Sequence, residues 1–224
     1  MFRIFLGFLI SIFSFHPVQA AEEAPYRLMV FGDSLSAGYQ LKKNESFAVQ
    51  LQQALIDSGF AHVRVINNSR SGETTTGGLK RLSDAIEQRP NGIILELGIN
   101  DILHGESIPV ITKNLSDLIQ NFQSNHMAVL LAGMKAPPIT EPVYAQQFEQ
   151  MYQSLAKKYH IRLYPFFMQA LFENAGGRYE NALPYLKPDK VHPTNEGVSL
   201  MVKHILPTVI SFLKQQGISP TRTK

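Results

Sequence analysis

The amino-acid sequence predicts a three-layer α/β/α sandwich built around a central parallel five-stranded sheet. From Tyr26 onward, short runs rich in valine, isoleucine and leucine alternate with longer segments of helical periodicity. This alternation favours parallel strands joined by right-handed crossover helices that cover both faces of the sheet. The chain has 224 residues, and no internal repeat or linker divides it. We therefore expect one domain over residues 21–224.

The first half of the chain contains three predicted strands with two helices between them. The strands are the apolar runs at 27–31, 63–66 and 93–97. The first helix begins near Ser46 and ends near Gly59, because apolar residues recur between them at helical spacing. The second helix spans about 79–89 and ends at Pro90, which cannot continue a helix.

The second half of the chain contains two further strands, at 128–131 and 161–164. Three helices accompany them, at 108–122, 143–159 and 194–213. A proline-rich loop at 136–138 delays the middle helix, since proline favours turns and extended backbone. The segment 166–190 shows little periodicity and is predicted to be irregular.

The first twenty residues have the three parts of a secretory signal. Arg3 gives a positive start, Ile4 to Phe15 forms an apolar run, and small residues at 18–20 offer cleavage before Ala21. The run is shorter than the about 20 residues that span a bilayer, so an uncleaved anchor is the less favoured alternative. We expect export to the periplasm or medium and no stable membrane anchor after cleavage.

The composition excludes several chemistries. The chain contains no cysteine, which rules out disulfides, thiolate catalysis and cysteine-ligated metals. Its formal net charge is +3, and the basic residues are dispersed rather than arranged in a stripe, so no nucleic-acid partner is expected. No apolar seam for self-association is evident, and we expect a monomer.

Three polar segments follow the first three predicted strands. Gly32 is predicted to permit a sharp turn before Ser34, and Gly72 and Asn100 follow the next two strands. Parallel strands end at the same edge of a sheet, where ligands bind. A serine nucleophile, a backbone N–H and an amide donor are therefore expected to converge, as acyl transfer requires. Alternatively, Asp33 or Ser34 only caps the following helix.

A serine needs a base to remove its hydroxyl proton. His192 stands three residues after Asp189, between two prolines. On a turn, this spacing lets the carboxylate orient the imidazole while the other ring nitrogen faces the serine. One alternative is a purely structural turn capped by Asp189. Another is a metal site, which would need at least one further ligand that the sequence does not suggest.

Taken together, these motifs resemble the GDSL-type, or SGNH, hydrolase superfamily over about residues 26–213. The motifs are Gly-Asp-Ser-Leu-Ser at 32–36, Gly72, Gly-Ile-Asn-Asp at 98–101 and Asp-x-x-His at 189–192. A further likeness is to the bacterial periplasmic subgroup with acyl thioesterase, lysophospholipase and arylesterase activities. It is carried by the longer run Gly-Asp-Ser-Leu-Ser-Ala-Gly-Tyr at 32–39.

The resemblance implies a role for each of these residues. Ser34 would be the nucleophile, His192 the general base and Asp189 the acid that orients it. The backbone N–H groups of Ser34 and Gly72 and the side chain of Asn100 would form the oxyanion hole. The implied fold is flavodoxin-like, and no metal or organic cofactor is required. The expected substrates are small aryl or acyl esters, acyl thioesters and lysophospholipids.

Two other functions are compatible with these residues. One is a carbohydrate O-acetyl esterase, and the other is a catalytically silent binding protein with the same fold. The complete set of site residues disfavours the silent protein. Apolar residues predicted to lie near the site favour a fatty or aromatic acyl group over acetate. They are Ile99, Ile102, Leu103, Ile139, Val143, Phe166 and Phe167.

Overall fold

Five parallel strands form one sheet in the order β2-β1-β3-β4-β5. The computed structural model describes residues 24–221, so the predicted signal at 1–20 lies outside the described residues. The strands are β1 (Tyr26–Gly32), β2 (Val63–Asn67), β3 (Gly92–Glu96), β4 (Ala128–Ala132) and β5 (Arg162–Tyr164). The prediction of a parallel five-stranded sheet is confirmed.

The two central strands, β1 and β3, form the middle of the core. Every residue of β3 is buried, and β1 is buried from Leu28 onward. Helices cover both faces of these strands, which explains why their sequences are continuous apolar runs rather than alternating ones. Glu96 is the one charged residue of β3, and it pairs with Gly32 at the carboxyl end of the sheet.

Ten α-helices surround the sheet within residues 24–221, together with two 3₁₀ turns at Lys43–Glu45 and Leu183–Tyr185. The helices in the first half are α1 (Ser34–Ala37), α2 (Phe47–Asp57), α3 (Thr75–Lys80), α4 (Leu82–Glu87) and α5 (Ile99–Leu103). Those in the second half are α6 (Ile108–Ser124), α7 (Pro142–Lys158), α8 (Gln169–Asn174), α9 (Tyr179–Ala182) and α10 (Asn195–Gln215).

The long helices fall into two layers. Helix α10 contacts α2 and α8 in one layer, and helix α6 contacts α3 and α7 in the other. Phe31 of β1 meets Phe122 of α6 with ring centroids 5.5 Å apart. Helix α10 is long and apolar enough to cross a membrane by composition alone. Its apolar face is nevertheless buried against α2 and α8, as in the core helix of a globular domain.

The prediction of a single helix over about 79–89 is wrong. Helices α3 and α4 are separate and meet at Arg81, whose φ of −112° lies outside the helical range. The Arg81 guanidinium pairs with Glu73 and donates to the Asn68 carbonyl at 3.0 Å. These tertiary contacts interrupt a helix that the apolar periodicity alone would continue.

The short helices α1, α5, α8 and α9 were not predicted. They contain only four to six residues each, so they show no recognisable helical periodicity. Helices α8 and α9 occupy ten residues of the segment 166–190, which was expected to be irregular. Helices α1 and α5 matter more, because they follow β1 and β3 directly and carry the candidate site residues.

Candidate active site

Ser34 is the first residue of α1, a single helical turn that begins directly after β1. Asp33 caps this turn, and its Oδ1 atom accepts a hydrogen bond from the Leu35 backbone N–H at 2.9 Å. Gly38 ends the turn in the left-handed conformation, with a φ of 87°. Capping at both ends holds a helix that would be too short to form alone. The Ser34 hydroxyl is thereby presented at the carboxyl edge of the sheet.

Gly32 is required for a reason other than the predicted sharp turn. Its φ is not in the positive region, unlike that of eight other glycines in the described residues. A Cβ atom at Gly32 would overlap the Ser36 hydroxyl and the Glu96 carboxyl, and would lie 2.8 Å from the Glu96 carbonyl oxygen. The missing side chain therefore allows β3 and α1 to approach the end of β1 closely.

The structure brings Ser34, His192 and Asp189 into one hydrogen-bonded chain. The Ser34 Oγ atom lies 2.9 Å from His192 Nε2, and His192 Nδ1 lies 2.9 Å from Asp189 Oδ2. An ionised carboxylate can only accept, so Nδ1 carries the ring proton and Nε2 is left to accept from the serine. This is the geometry that a general base needs.

Asp189 is held by the backbone of its own loop. Its Oδ1 atom accepts from the N–H groups of Val191 at 2.9 Å and His192 at 3.0 Å. Partial burial raises the pKa of Asp189, but these two hydrogen bonds and the His192 ring outweigh burial and lower it to about 2. Asp189 is therefore a stable negative charge behind the imidazole at neutral pH.

The loop that carries His192 is fastened on both sides. The Lys187 N–H donates to the His192 carbonyl at 2.8 Å, and the Lys187 ammonium donates to the Gln40 carbonyl at 2.6 Å. The Tyr39 ring packs against the imidazole with ring centroids 4.5 Å apart. These contacts join the histidine loop to the segment after α1, which fixes the distance between His192 and Ser34. Tyr39 was not singled out from the sequence.

The predicted oxyanion donors differ in whether their N–H groups already have a hydrogen-bond acceptor. Within residues 24–221, no protein acceptor receives a hydrogen bond from the backbone N–H of Ser34 or of Gly72. Asn100 uses its amide nitrogen to donate to Asp33 Oδ2 and to the Glu73 carbonyl, each at 3.0 Å. An oxyanion at Asn100 would have to share or replace one of these contacts, whereas the two backbone groups are free.

Asp101 braces the neighbouring loop. Its carboxyl accepts from the Thr75 backbone N–H at 2.9 Å and from the Thr75 hydroxyl at 2.5 Å. Burial raises the pKa of Asp101, while the hydrogen bonds from Thr75 lower it. This link ties α5 to the start of α3, and so it joins the Asn100 turn to the loop that contains Gly72.

Two buried ionisable groups beneath the site were missed by sequence reasoning. Glu96 has no exposed surface, and Arg81 is almost wholly buried. The Arg81 guanidinium lies 3.8 Å above the centre of the Phe31 ring and pairs with Glu73. An acidic residue inside the apolar run of β3 was a usable signal for Glu96. No comparable signal marks Arg81, which lies among polar residues.

The seven apolar residues predicted to lie near the site divide into three sets, of which Ile99 and Ile102 form a half-buried one. Leu103, Ile139 and Val143 are exposed, with Ile139 exposed to 94%. Phe166 and Phe167 are buried core residues, so they do not support an apolar surface for the acyl group. Phe167 packs on Phe47 of α2 with ring centroids 4.9 Å apart.

Comparison with known proteins agrees with this architecture. The model of the GDSL-like lipase/acylhydrolase family matches residues 30–200. An arylesterase of Vibrio mimicus is 33% identical over 206 residues, which cover 92% of this chain and 98% of that protein. The thioesterase 1/protease 1/lysophospholipase L1 of Escherichia coli is 29% identical over 219 residues, or 93% of this chain and 95% of that protein.

Solved structures show the same fold. The crystal structure of TesA superposes with a TM-score of 0.75 and 32% identity, over 84% of this chain and 99% of that one. The fold and these matches define a serine hydrolase with a parallel α/β/α architecture. The chain belongs to the GDSL-like lipase/acylhydrolase family and is a GDSL-type serine hydrolase that acts on small ester substrates.

Proposed function

We propose that the chain hydrolyses carboxylic esters and thioesters through an acyl-enzyme on Ser34, with His192 as general base and Asp189 as its orienting acid. The observation that carries this proposal is the pair of 2.9 Å contacts from Ser34 to His192 and from His192 to Asp189. A serine hydroxyl becomes a competent nucleophile when such a base accepts its proton.

The proposed reaction has two symmetrical halves. His192 Nε2 takes the Ser34 proton as Oγ attacks the carbonyl carbon, and the carbonyl electrons move onto oxygen. The oxyanion collapses, the bond to the leaving group breaks, and the imidazolium gives its proton to the departing alcohol or thiol. Water then repeats the cycle on the acyl-enzyme, releasing a carboxylic acid and restoring Ser34.

The oxyanion is proposed to bind at the two free backbone N–H groups of Ser34 and Gly72, with Asn100 as third donor. Each such donor typically lowers the barrier by about 3–4 kcal/mol. Asn100 is oriented by Asp33 and the Glu73 carbonyl, so its amide is already held before substrate arrives. This preorganisation is what makes a donor effective for a short-lived charge.

An active-site label tests the nucleophile directly. A fluorophosphonate probe is expected to modify the wild-type protein and a Ser199→Ala control, since Ser199 is an exposed serine on α10. Ser34→Ala is expected to resist labelling and to lose turnover of a p-nitrophenyl ester by about 10⁴-fold or more. Turnover retained by a folded Ser34→Ala protein would contradict the assignment. Absence of labelling in the wild type would favour the silent binding protein.

For the acyl group, we propose a fatty or aromatic chain rather than acetate on a carbohydrate. The support is the exposed apolar set Leu103, Ile139 and Val143, together with the arylesterase and thioesterase names of the relatives. Butyryl and octanoyl p-nitrophenyl esters are expected to give higher kcat/KM than the acetyl ester. A preference for acetyl esters, with release of acetate from acetylated glycans, would instead support the carbohydrate esterase.

Ile99 offers a more local test of the acyl pocket. It is half-buried, it follows Gly98 at the start of α5, and it precedes Asn100 directly. We propose that this side chain narrows the space beside the oxyanion donor. Ile99→Gly is expected to shift the preferred acyl chain toward longer esters, and an unchanged chain-length profile would contradict this role.

Export, a monomeric state and the lack of a membrane anchor are also part of the proposal. The support is the charged start, apolar run and small residues of the first twenty positions, and the dispersed charge of the remaining chain. The exported protein is expected to begin at Ala21 and to scatter light as a monomer. An intact mass that retains residues 1–20, or recovery in the membrane fraction, would contradict export with cleavage.

A further inference from the structure

Glu96 is a carboxyl group that the proposed reaction does not use, although it lies directly beneath α1, the turn that begins with Ser34. It ends β3 and has no exposed surface. Its Oε2 atom accepts from the Asp33 backbone N–H at 3.2 Å and lies 2.7 Å from the Ser36 hydroxyl. Within residues 24–221, its Oε1 atom has no hydrogen-bond partner, and no basic side chain forms an ion pair with it.

The hydroxyl groups around Glu96 supply it with little hydrogen-bond donation. Ser36 Oγ lies 2.7 Å from Glu96 Oε2, but it also lies 2.9 Å from Ser69 Oγ and 3.4 Å from the Asp33 carbonyl oxygen. A hydroxyl has one hydrogen, so Ser36 cannot donate to all three neighbours. Among the described residues, the Asp33 N–H is therefore the one donor committed to Glu96, which is too little to stabilise a buried carboxylate.

The neighbouring carboxyl, Asp33, has the opposite set of partners. Its Oδ1 atom accepts from the Leu35 N–H at 2.9 Å and its Oδ2 atom from Asn100 at 3.0 Å. Burial raises the pKa of Asp33 to about 7, although these donors favour its charged form. The Glu96 oxygen without a partner favours a neutral acid. Burial raises the pKa of Glu96 well above its usual value, and the negative charge of Asp33 raises it further.

The other titratable groups in this region do not offset a negative charge on Glu96. Asp101 and Glu73 are acidic, and Arg81 is already paired with Glu73. From α7, Tyr152 donates its hydroxyl to the Leu97 carbonyl at 2.9 Å, and burial followed by the charge of Glu96 raises the Tyr152 pKa well above its usual value. A second charge beside Asp33 would therefore meet only repulsion or neutral groups.

We propose that Glu96 is a positioning residue that remains protonated while the enzyme works, and that its ionisation sets the alkaline limit of the reaction at Ser34. The neutral acid leaves Asp33 as the one negative charge of the pair. Asp33 then caps α1 and holds Asn100. Ionised Glu96 would repel Asp33, which would loosen the serine turn and the oxyanion donor together. This inference rests on the proposed function, since it concerns the reaction at Ser34.

The kinetic test compares pH profiles of kcat/KM for the wild type and Glu96→Gln, with the exposed Glu87→Gln as a matched control. The wild type and the control are expected to lose activity by about tenfold per pH unit beyond the alkaline pKa. Glu96→Gln, which cannot ionise, is expected to lack this decline. Its amide oxygen can still accept from the Asp33 N–H, so its activity near neutral pH should fall by no more than about tenfold. A larger loss, or an unchanged alkaline decline, would overturn the proposal.

A spectroscopic test does not require the Glu96→Gln protein to fold. Infrared spectra of the Ser34→Ala protein in deuterated buffer should show the C=O stretch of a protonated carboxyl at a pH of about 8, above the pKa of about 7 for Asp33. As pH rises, that band should disappear with the same midpoint pH as the alkaline decline of wild-type activity. Its absence at that pH would overturn the proposal even if the esterase activity stands. If Ser34→Ala retains turnover while the band is present, only the proposed function fails.

Discussion

Asp189 and Glu96 are both carboxyl groups close to Ser34, but one lies in a surface loop and the other beneath the catalytic turn. The Asp189 side chain is 37% exposed and contacts solvent, whereas Glu96 is wholly enclosed at the end of β3. Asp189 accepts hydrogen bonds from two backbone N–H groups and one imidazole. Glu96 has one backbone donor and an oxygen without a partner.

This difference in donors and solvent gives the two groups opposite chemistry. The pKa of Asp189 is lowered to about 2, against the effect of its partial burial, and the pKa of Glu96 is raised well above its usual value by burial. A charged carboxylate suits the group that stabilises an imidazolium. A neutral acid suits a buried position next to Asp33, because it does not place a second negative charge beside that carboxylate. The surroundings, rather than the residue type, assign the role.

The largest effect is expected from removing the charge of the exposed Asp189 carboxylate. Asp189→Asn keeps the size of the side chain but no longer favours the His192 tautomer whose Nε2 faces Ser34. We expect kcat to fall by about 10³-fold or more, with KM little changed. Steady-state kinetics on a p-nitrophenyl ester measure this, with the exposed Asp84→Asn as control. A loss below about tenfold would show that the imidazole is oriented by other contacts.

Asn100 connects the buried Asp33–Glu96 pair to the proposed oxyanion hole, because its amide contacts Asp33 and is a proposed oxyanion donor. Asn100→Ala removes one oxyanion donor but leaves the Ser34 and Gly72 N–H groups in place. We expect kcat to fall by about 10²- to 10³-fold with a smaller change in KM, because the contact strengthens in the transition state. A variant that mainly raises KM would show that Asn100 binds the ground state instead.

A third prediction tests the close packing of Gly32 against Glu96 and Ser36. Gly32→Ala places a methyl group against Glu96 and Ser36, so we expect a loss of about 3 kcal/mol in the free energy of unfolding. Gly176→Ala is the control, because its φ is 66° and its added Cβ meets no atom within 4 Å. Backbone strain alone should cost Gly176→Ala about 1 kcal/mol. Equal losses in urea unfolding would contradict the steric explanation.

A further effect is expected on the pH dependence of stability. Glu96 has a raised pKa in the folded protein, so the folded state holds more protons and stability falls as pH rises above about 4.3. The contribution is about 1.4 kcal/mol per pH unit until the folded pKa is reached. Glu96→Gln should remove this contribution. Its free energy of unfolding, measured by urea unfolding at a series of pH values, should therefore depend less on pH than that of the wild type. Parallel curves would contradict a protonated Glu96.

Asp189 should act in the opposite direction and in a different range. Its pKa is lowered in the folded protein, so its contribution to stability is present above about pH 4 and is lost as pH falls through about 2. Because the two windows do not overlap, one set of unfolding curves can separate the exposed carboxylate from the buried acid. Asp189→Asn should change only the acidic end of the curve.

The sheet and the long helices could be predicted because their signals are local. The run at 93–97 is apolar apart from Glu96 because β3 is covered on both faces, and that requirement is visible in the sequence. The break at Arg81 could not be predicted in the same way. It depends on Glu73 and Asn68, which are eight and thirteen residues away. Likewise, the turns α1 and α5 are too short to carry a period.

The sequence by itself determined the alternation of strands and helices, the order of the motifs, and the residue types Ser34, Asp189 and His192. Tertiary structure decided which groups meet and which are charged. Ser34 and His192 are 158 positions apart, and Asp33 and Glu96 are 63 apart, yet both pairs are in contact. Charge state depends on burial and on donors brought in across space, and neither property belongs to a residue until the chain has folded.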